Sequence, residues 1–427
     1  MDPVVLTARS LLCEPGRWIE GGGLVLHGGR VRAVLDSPGA VARAGLTLRD
    51  LGDVLLTPGL VNAHAHLELG TLAGALPPDE GFVAWVEALI ASKAHDGAED
   101  FARAVAVGAE RLLAGGTTCV GDVDSTGAAG EGLDSLLRGG RRRRVCGGGG
   151  LRARIYHEVL DAGDERRTAG ALERLSKRLV GGVLDSPGAA PCRGEPGRYE
   201  GIAPHAPYTV SPTLLAACGK LQRESGQACS IHWAETEEEA RWMERGEGEF
   251  ARLLNHSPGV RGLDAIEAAG LLGAGTSLVH ANHTAPGERE RIARAGAVVV
   301  HCPGTNEFFG RSPFDFRAWM EAGVDLALGT DSLASNDDLD MRQEMALVRA
   351  SADLEPADVW SMATLGGARA VGLAGSVGAL VEGAWADLVA WPWSGGGPAA
   401  ALDALTAGEL RPGVVLISGH PLREGDG

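Results

Sequence analysis

The chain has 427 residues, 44% of them hydrophobic, and a formal net charge of −17 at pH 7. That length suits one large barrel with a small satellite, or two or three ordinary domains, and the acidic balance argues against nucleic acid or an anionic membrane as a partner. Seven scattered cysteines with no C-x-x-C pair argue against a thiolate zinc site and suit a reducing cytoplasm; no signal peptide and no run of membrane-spanning length is visible, so a cytoplasmic protein is expected.

Residues 1 to about 54 read as short β segments, among them Val4–Ala8, Gly23–Leu26 and Arg30–Leu35, separated by glycine-rich turns. That is too little chain for a core of its own. The apolar run Leu55-Leu56-Thr57-Pro58-Gly59-Leu60-Val61-Asn62-Ala63 follows and ends in His64-Ala65-His66-Leu67-Glu68. In a strand, residues i and i+2 face the same way, so His64 and His66 present two imidazoles to one point. Phe82, Val86, Leu89 and Ile90 then share a helical face. Phe82 and Trp85 can reach a substrate, although packing is the commoner role for such residues. A helix over about 100–114 leads to the second strand, Thr117–Asp122. There Asp122 either orients a ligand or serves as a cap.

The tetra-arginine stretch near 139–150 and the insertion near 181–197 read as solvated surface loops. Between and after them come Leu151–Val159, Tyr199–Tyr208, Ala228–His232, Ser277–His283, Ala297–Pro303 and Val324–Asp331. With the two earlier runs they make eight strand-like segments alternating with helical ones, and most end in His, Glu or Asp. Parallel βα units are implied. Recurring polar strand ends fit the C-terminal mouth of a (β/α)8 barrel. No phosphate-cradling glycine loop points to a doubly wound sheet. Short strands return at Gly378–Trp391 and Val414–Gly419. The expected architecture is a (β/α)8 TIM barrel over 55–378 beside a small β-sandwich built from 1–54 and 379–427.

His64 and His66 from strand one, His232 from strand five and Asp331 from strand eight suit one Zn2+ or Fe2+ ion with a position left for water. Such an ion makes hydroxide available near neutral pH. Asp331 can accept the water's proton. Glu235, three residues past His232, can carry it to the leaving side, and His280 can bond the water or the developing tetrahedral centre. His205 either touches substrate or holds a loop carbonyl. His283 and His301 are supporting or structural residues. Asn306 and the Ser332–Asp337 run face substrate or cap the next helix.

These residues resemble the amidohydrolase superfamily, in its cytosine-deaminase, chlorohydrolase and nucleoside-deaminase branch. The resemblance spans nearly the whole chain and rests on five motifs. They are Thr57–His66, His232-x-x-Glu235, His280-x-x-His283, His301-Cys302-Pro303-x-x-Asn306 and Gly329-Thr330-Asp331-Ser332-x-Ala334-Ser335-Asn336. It implies a mononuclear divalent metal, hydrolytic attack and the roles given above. No strand-four lysine is present to bridge two metals. His64–Leu69 with Phe82-x-x-Trp85 is most similar to the aminodeoxyfutalosine deaminases of menaquinone biosynthesis. That likeness implies a small-molecule substrate, an aminated purine nucleoside, with Glu68 near a ribose hydroxyl or in a loop salt bridge. It also implies a cation for the substrate's carboxylate, for which Arg311 is the candidate. Glu307 departs from the commoner pattern and would oppose an anionic substrate. A C–Cl or amide hydrolase, and a guanine or S-adenosylhomocysteine-type deaminase, are the alternatives. A homodimer is possible.

Overall fold

The computed structural model describes residues 2–78, 81–138, 150–180 and 197–422, with only the backbone of 136–138 and 180. Most of the two expected surface loops, 139–149 and 181–196, lies outside the described residues. Eight parallel strands form the barrel: β1 Leu60–Ala65, β2 Thr117–Asp124, β3 Arg152–Val159, β4 Arg198–Pro204, β5 Ala228–Trp233, β6 Thr276–His280, β7 Val298–His301 and β8 Asp325–Leu328. Each pairs with the next in sequence. The ring closes where Ala65 bridges to Asp331 and the amides of Thr330 and Asp331 both reach the His64 carbonyl at 3.1 Å. Gly329 permits that closure, because a Cβ there would stand 2.8 Å from the His64 carbonyl oxygen.

All six residues of β1 and all eight of β2 are buried. Strands covered on both faces have this character. The covering helices show the 3.6-residue period. Ala98–Ala114 turns Phe101, Val105, Ala109 and Leu112 inward. Pro212–Ser225 starts at Ser211, whose side chain accepts from the Leu214 amide, and stops at Gly226 in the left-handed region.

The chain ends meet in two further sheets. One has four strands, in the order Arg30–Leu35, Gly23–His27, Val4–Thr7, Thr47–Asp50. The other has six, in the order His420–Pro421, Val414–Ile417, Leu388–Pro392, Val54–Pro58, Ser10–Glu14, Arg17–Glu20. Leu6, Leu11, Leu24, Leu56, Leu388 and Leu416 share their core. The apolar run 55–63 therefore serves two sheets. Its first half pairs antiparallel with Leu388–Pro392, and its second half is β1. Pro58, which has no amide hydrogen, marks the division.

Arg152 of β3 joins the barrel to these sheets. Its guanidinium forms a buried pair with Asp387 and lies 3.7 Å from the Trp385 ring centroid. Asp387 also accepts the Ser418 amide at 2.9 Å. Removing one partner strands a buried charge. Asp387→Ala is expected to lower unfolding free energy by about 3–5 kcal/mol, measured by urea denaturation. Among the described residues no helix is long and apolar enough to cross a membrane.

Candidate metal centre and active site

The histidines and acids expected at the barrel mouth sit at or near strand ends. Asn62 sets the first of them. Its Nδ2 donates to Thr330 Oγ1 at 2.7 Å, and its Oδ1 accepts the Thr330 amide at 3.2 Å, which fixes β1 against the loop after β8. His64 is fully buried, and neither ring nitrogen has a partner. His66 Nε2 and His232 Nε2 lie 3.2 Å apart. His64 Nε2 and His66 Nε2 are 3.8 and 3.9 Å from Asp331 Oδ1. Donor atoms of His64, His66 and Asp331 lie within 4.8 Å of one another, as do those of His64, His232 and His280.

These residues fit a divalent ion. Two nitrogens on one tetrahedral zinc at about 2.0–2.1 Å stand roughly 3.3 Å apart. A buried imidazole with two idle nitrogens costs free energy unless something binds it. His232 donates its Nδ1 hydrogen to the His205 carbonyl at 2.9 Å, so its Nε2 lone pair faces inward. Burial, then the neighbouring imidazoles, hold His64 and His66 well below the usual histidine range. They are therefore neutral at pH 7, the form that ligates a metal. Asp331 is pushed up to about 6, first by burial and then by Glu235. Thr305 and Ser335 hydroxyls donate to its Oδ2 at 3.2 and 3.3 Å, which leaves Oδ1 toward the histidines. Glu158, His205 and His232 make a third close set of donors. It shares the one inward nitrogen of His232 with the first centre, so the two sets cannot be filled independently.

Glu235 lies beside the centre. Its Oε2 is 3.7 Å from His280 Nε2. Its Oε1 accepts from Arg311 Nη2 at 2.9 Å. The turn that carries it is held by Glu239, which accepts the amides of Ala234 and Glu235 at 2.9 and 2.8 Å. Burial pushes Glu239 up to about 8 despite those bonds. Backbone strain gathers here too. Ala234, His280, Ala281 and Asp331 have φ of 52°, 76°, 53° and 57°, a costly region for residues with a Cβ that often marks functional sites. Glu239→Ala releases both amides and is expected to lower kcat about tenfold to a hundredfold while metal content holds. Steady-state kinetics with metal analysis would check it.

The centre opens into a cavity of about 510 Å³. His205, Phe82 and Trp85 line it, together with His66, His232, Glu235, His280 and Asp331. Phe82 and Trp85 stack at 6.2 Å between centroids and also meet Phe309 edge-on, so they serve the wall and the packing at once. Three expected substrate contacts lie elsewhere. Glu68 is buried, accepts the Ser125 hydroxyl at 2.9 Å and faces Lys93 at 3.8 Å; those two partners line the cavity and Glu68 does not. Asn306 donates to the Ser312 carbonyl at 3.0 Å and ties its own loop. Arg311 is taken up by Glu235 and stacks over Phe309 at 4.4 Å. Glu307 is exposed and outside the lining.

Asp122 accepts the Leu67 amide at 2.9 Å and so pins the backbone just past His66. His301 stacks on Phe314 at 4.1 Å, and His283 borders a separate small cleft. Lining residues that the sequence left unmarked include Lys93, Glu158, Arg174, Arg178 and Tyr208. Strand alternation could have shown Glu158. The others converge from separate loops and helices. Gly304 lets the β7 loop approach Asn336, whose side-chain amide a Cβ there would meet.

Comparison with known proteins places the chain in a family. A methylthioadenosine/S-adenosylhomocysteine deaminase of Nitratidesulfovibrio vulgaris is 31% identical over 391 residues, covering 87% of this chain and 79% of that protein. An aminodeoxyfutalosine deaminase of Deinococcus radiodurans is 31% identical over 394 residues, covering 86% and 85%. The crystal structure of a zinc-bound adenosine deaminase from Xanthomonas campestris superposes with a TM-score of 0.77 at 25% identity, covering 98% of this chain and 92% of that one. The amidohydrolase family model matches residues 55–415, and the chain belongs to the amidohydrolase family.

Proposed function

We propose that the protein is a metal-dependent hydrolytic deaminase of an adenosine-type nucleoside, with aminodeoxyfutalosine, an intermediate of menaquinone biosynthesis, as the first substrate to try. The observation that carries this reading is the convergence of His64, His66, His232 and Asp331, with Glu235 and His280 beside them in one cavity. Deaminases of adenosine-type nucleosides among the relatives support the leaving group.

A Zn2+ or Fe2+ ion held by those four residues would supply an acidified water as nucleophile near neutral pH. Asp331, with Oδ2 occupied by hydroxyls, offers Oδ1 as an acceptor for a proton. Glu235, anchored through Oε1 by Arg311, keeps Oε2 free to take a proton and give it to the departing nitrogen. His280, kept neutral by burial, stands 3.7 Å from that oxygen and can donate to the developing oxyanion. In the balanced reaction, water's oxygen bonds to the amino-bearing ring carbon and the C–N bond breaks; one proton of the water goes to the amino nitrogen, which leaves as ammonia, and the other ends on the adjacent ring nitrogen of the oxo product.

Ammonia release from aminodeoxyfutalosine, methylthioadenosine, S-adenosylhomocysteine, adenosine and guanine tests the reading, with Asp331→Asn as the blank. Turnover of one or more adenosine-type nucleosides is expected. Silence across the panel with metal bound would discard deamination and leave an amidohydrolase acting on a C–Cl or amide bond.

A further inference from the structure

The cavity has two chemically different ends. Its reacting groups stand over β5, β6 and β8. On the far side of the barrel, Lys93, Arg174 and Arg178 reach the same cavity from the end of the helix Phe82–Lys93 and from the helix Thr168–Val180 that follows β3. Apolar side chains line the same cavity as well: Val86, Leu89, Ile90, Val159, Leu160 and Leu175. Three cations in one recess of a chain with net charge −17 need a reason.

Their neighbours leave that charge largely unanswered. Arg178 donates to the backbone carbonyls of Asp124 and Ser125 at 3.1 and 3.0 Å and meets no side-chain carboxylate among the described residues. Arg174 is exposed and has no hydrogen-bond or ion-pair partner among them. Lys93 reaches Ser125 Oγ and lies 3.8 Å from Glu68. The surrounding carboxylates are Glu68, Asp124 and Glu158. Asp124 Oδ1 accepts the Thr126 and Gly127 amides at 2.9 and 2.7 Å. Of the three cations, only Lys93 is paired with a side-chain carboxylate among the described residues, so the two guanidinium groups are left for an anionic ligand.

We propose that Lys93, Arg174 and Arg178 form a subsite for the carboxylate that ends an apolar substituent on the nucleoside's 5′ carbon. The proposal rests on the deaminase reading for which end of the cavity holds the purine. The apolar wall receives the substituent, and the paired guanidinium groups receive its oxygens, a geometry to which arginine is suited.

The experiment compares kcat and KM of the metal-loaded protein on carboxylate-bearing aminodeoxyfutalosine, neutral methylthioadenosine, zwitterionic S-adenosylhomocysteine and adenosine 5′-monophosphate, in wild type and in Arg174→Gln and Arg178→Gln. The ratio of kcat/KM for aminodeoxyfutalosine over methylthioadenosine is expected to fall about tenfold in each variant, carried mostly by KM. Raised salt should lower the same ratio in the wild type. Arg178 also braces the turn after β2, so Arg174→Gln, at an exposed position without partners, decides the matter if Arg178→Gln folds poorly. An unchanged ratio in Arg174→Gln overturns the subsite. So does a wild-type preference for the monophosphate or the zwitterion. Calorimetric titration of the same nucleosides reads the subsite without turnover. If nothing is deaminated, weaker binding of the carboxylate-bearing nucleoside alone in the variants still supports the subsite, and equal weakening of all of them still refutes it.

Discussion

Glu235→Gln is expected to lower kcat by about 10²–10⁴-fold, the range for loss of a positioned proton carrier, while metal content and KM change little. The amide keeps the size of the carboxylate. It can still accept from Arg311 through its oxygen, where Glu235 Oε1 does so at 2.9 Å. It cannot take a proton from the attacking water or hand one to the leaving nitrogen. The turn is held through backbone amides by Glu239 and should survive. A loss carried by KM would instead make Glu235 a binding residue. Arg311→Met offers a useful contrast, because it removes the anchor and keeps the carboxylate. A smaller loss, confined to kcat, is expected there.

The second large effect is loss of metal. Dialysis against a chelator is expected to bring turnover to assay background and to lower the thermal midpoint. Re-addition of Zn2+ or Fe2+ should restore both. An ion present at a thousand times its dissociation constant stabilises the folded chain by about 4 kcal/mol. Without it, His64 retains two buried ring nitrogens with no partner. Because His64, His66, His232 and Asp331 are contributed by three separate strand ends, an ion held by them would also tie β1, β5 and β8 together. His232→Ala should reproduce the chelated state and resist rescue by added metal. Full activity after complete metal removal, verified by elemental analysis, would refute the centre.

Much of this site could be read before any coordinates, because strand ends are local. An apolar run that stops in His-x-His, as at His64 and His66, or in Gly-Thr-Asp, as at Asp331, announces both the strand and the direction of its last side chains. The number of such runs carried the barrel. What stayed hidden depends on pairing across the fold. Leu55–Pro58 reads as the start of the first barrel strand, yet its partner strand is Leu388–Pro392, more than three hundred residues away. Arg311 is the candidate cation for a substrate carboxylate on the resemblance alone; its partner, Glu235, sits 76 positions earlier. Glu68 lies next to His64 and His66 in sequence, but the turn after His66 folds it away to Ser125 and Lys93. Lys93, Arg174 and Arg178 share no motif, and only the closed barrel brings them to one cavity.

The most direct test of metal-dependent hydrolytic deamination is one run in 18O-labelled water. Protein loaded with a single equivalent of Zn2+ or Fe2+ is given aminodeoxyfutalosine and, separately, methylthioadenosine, and the product is weighed by mass spectrometry while ammonia is counted. The expected result is one ammonia released per nucleoside consumed, with one labelled oxygen on the ring carbon that carried the amino group. Consumption without ammonia, or product without label, would contradict hydrolytic deamination at this centre.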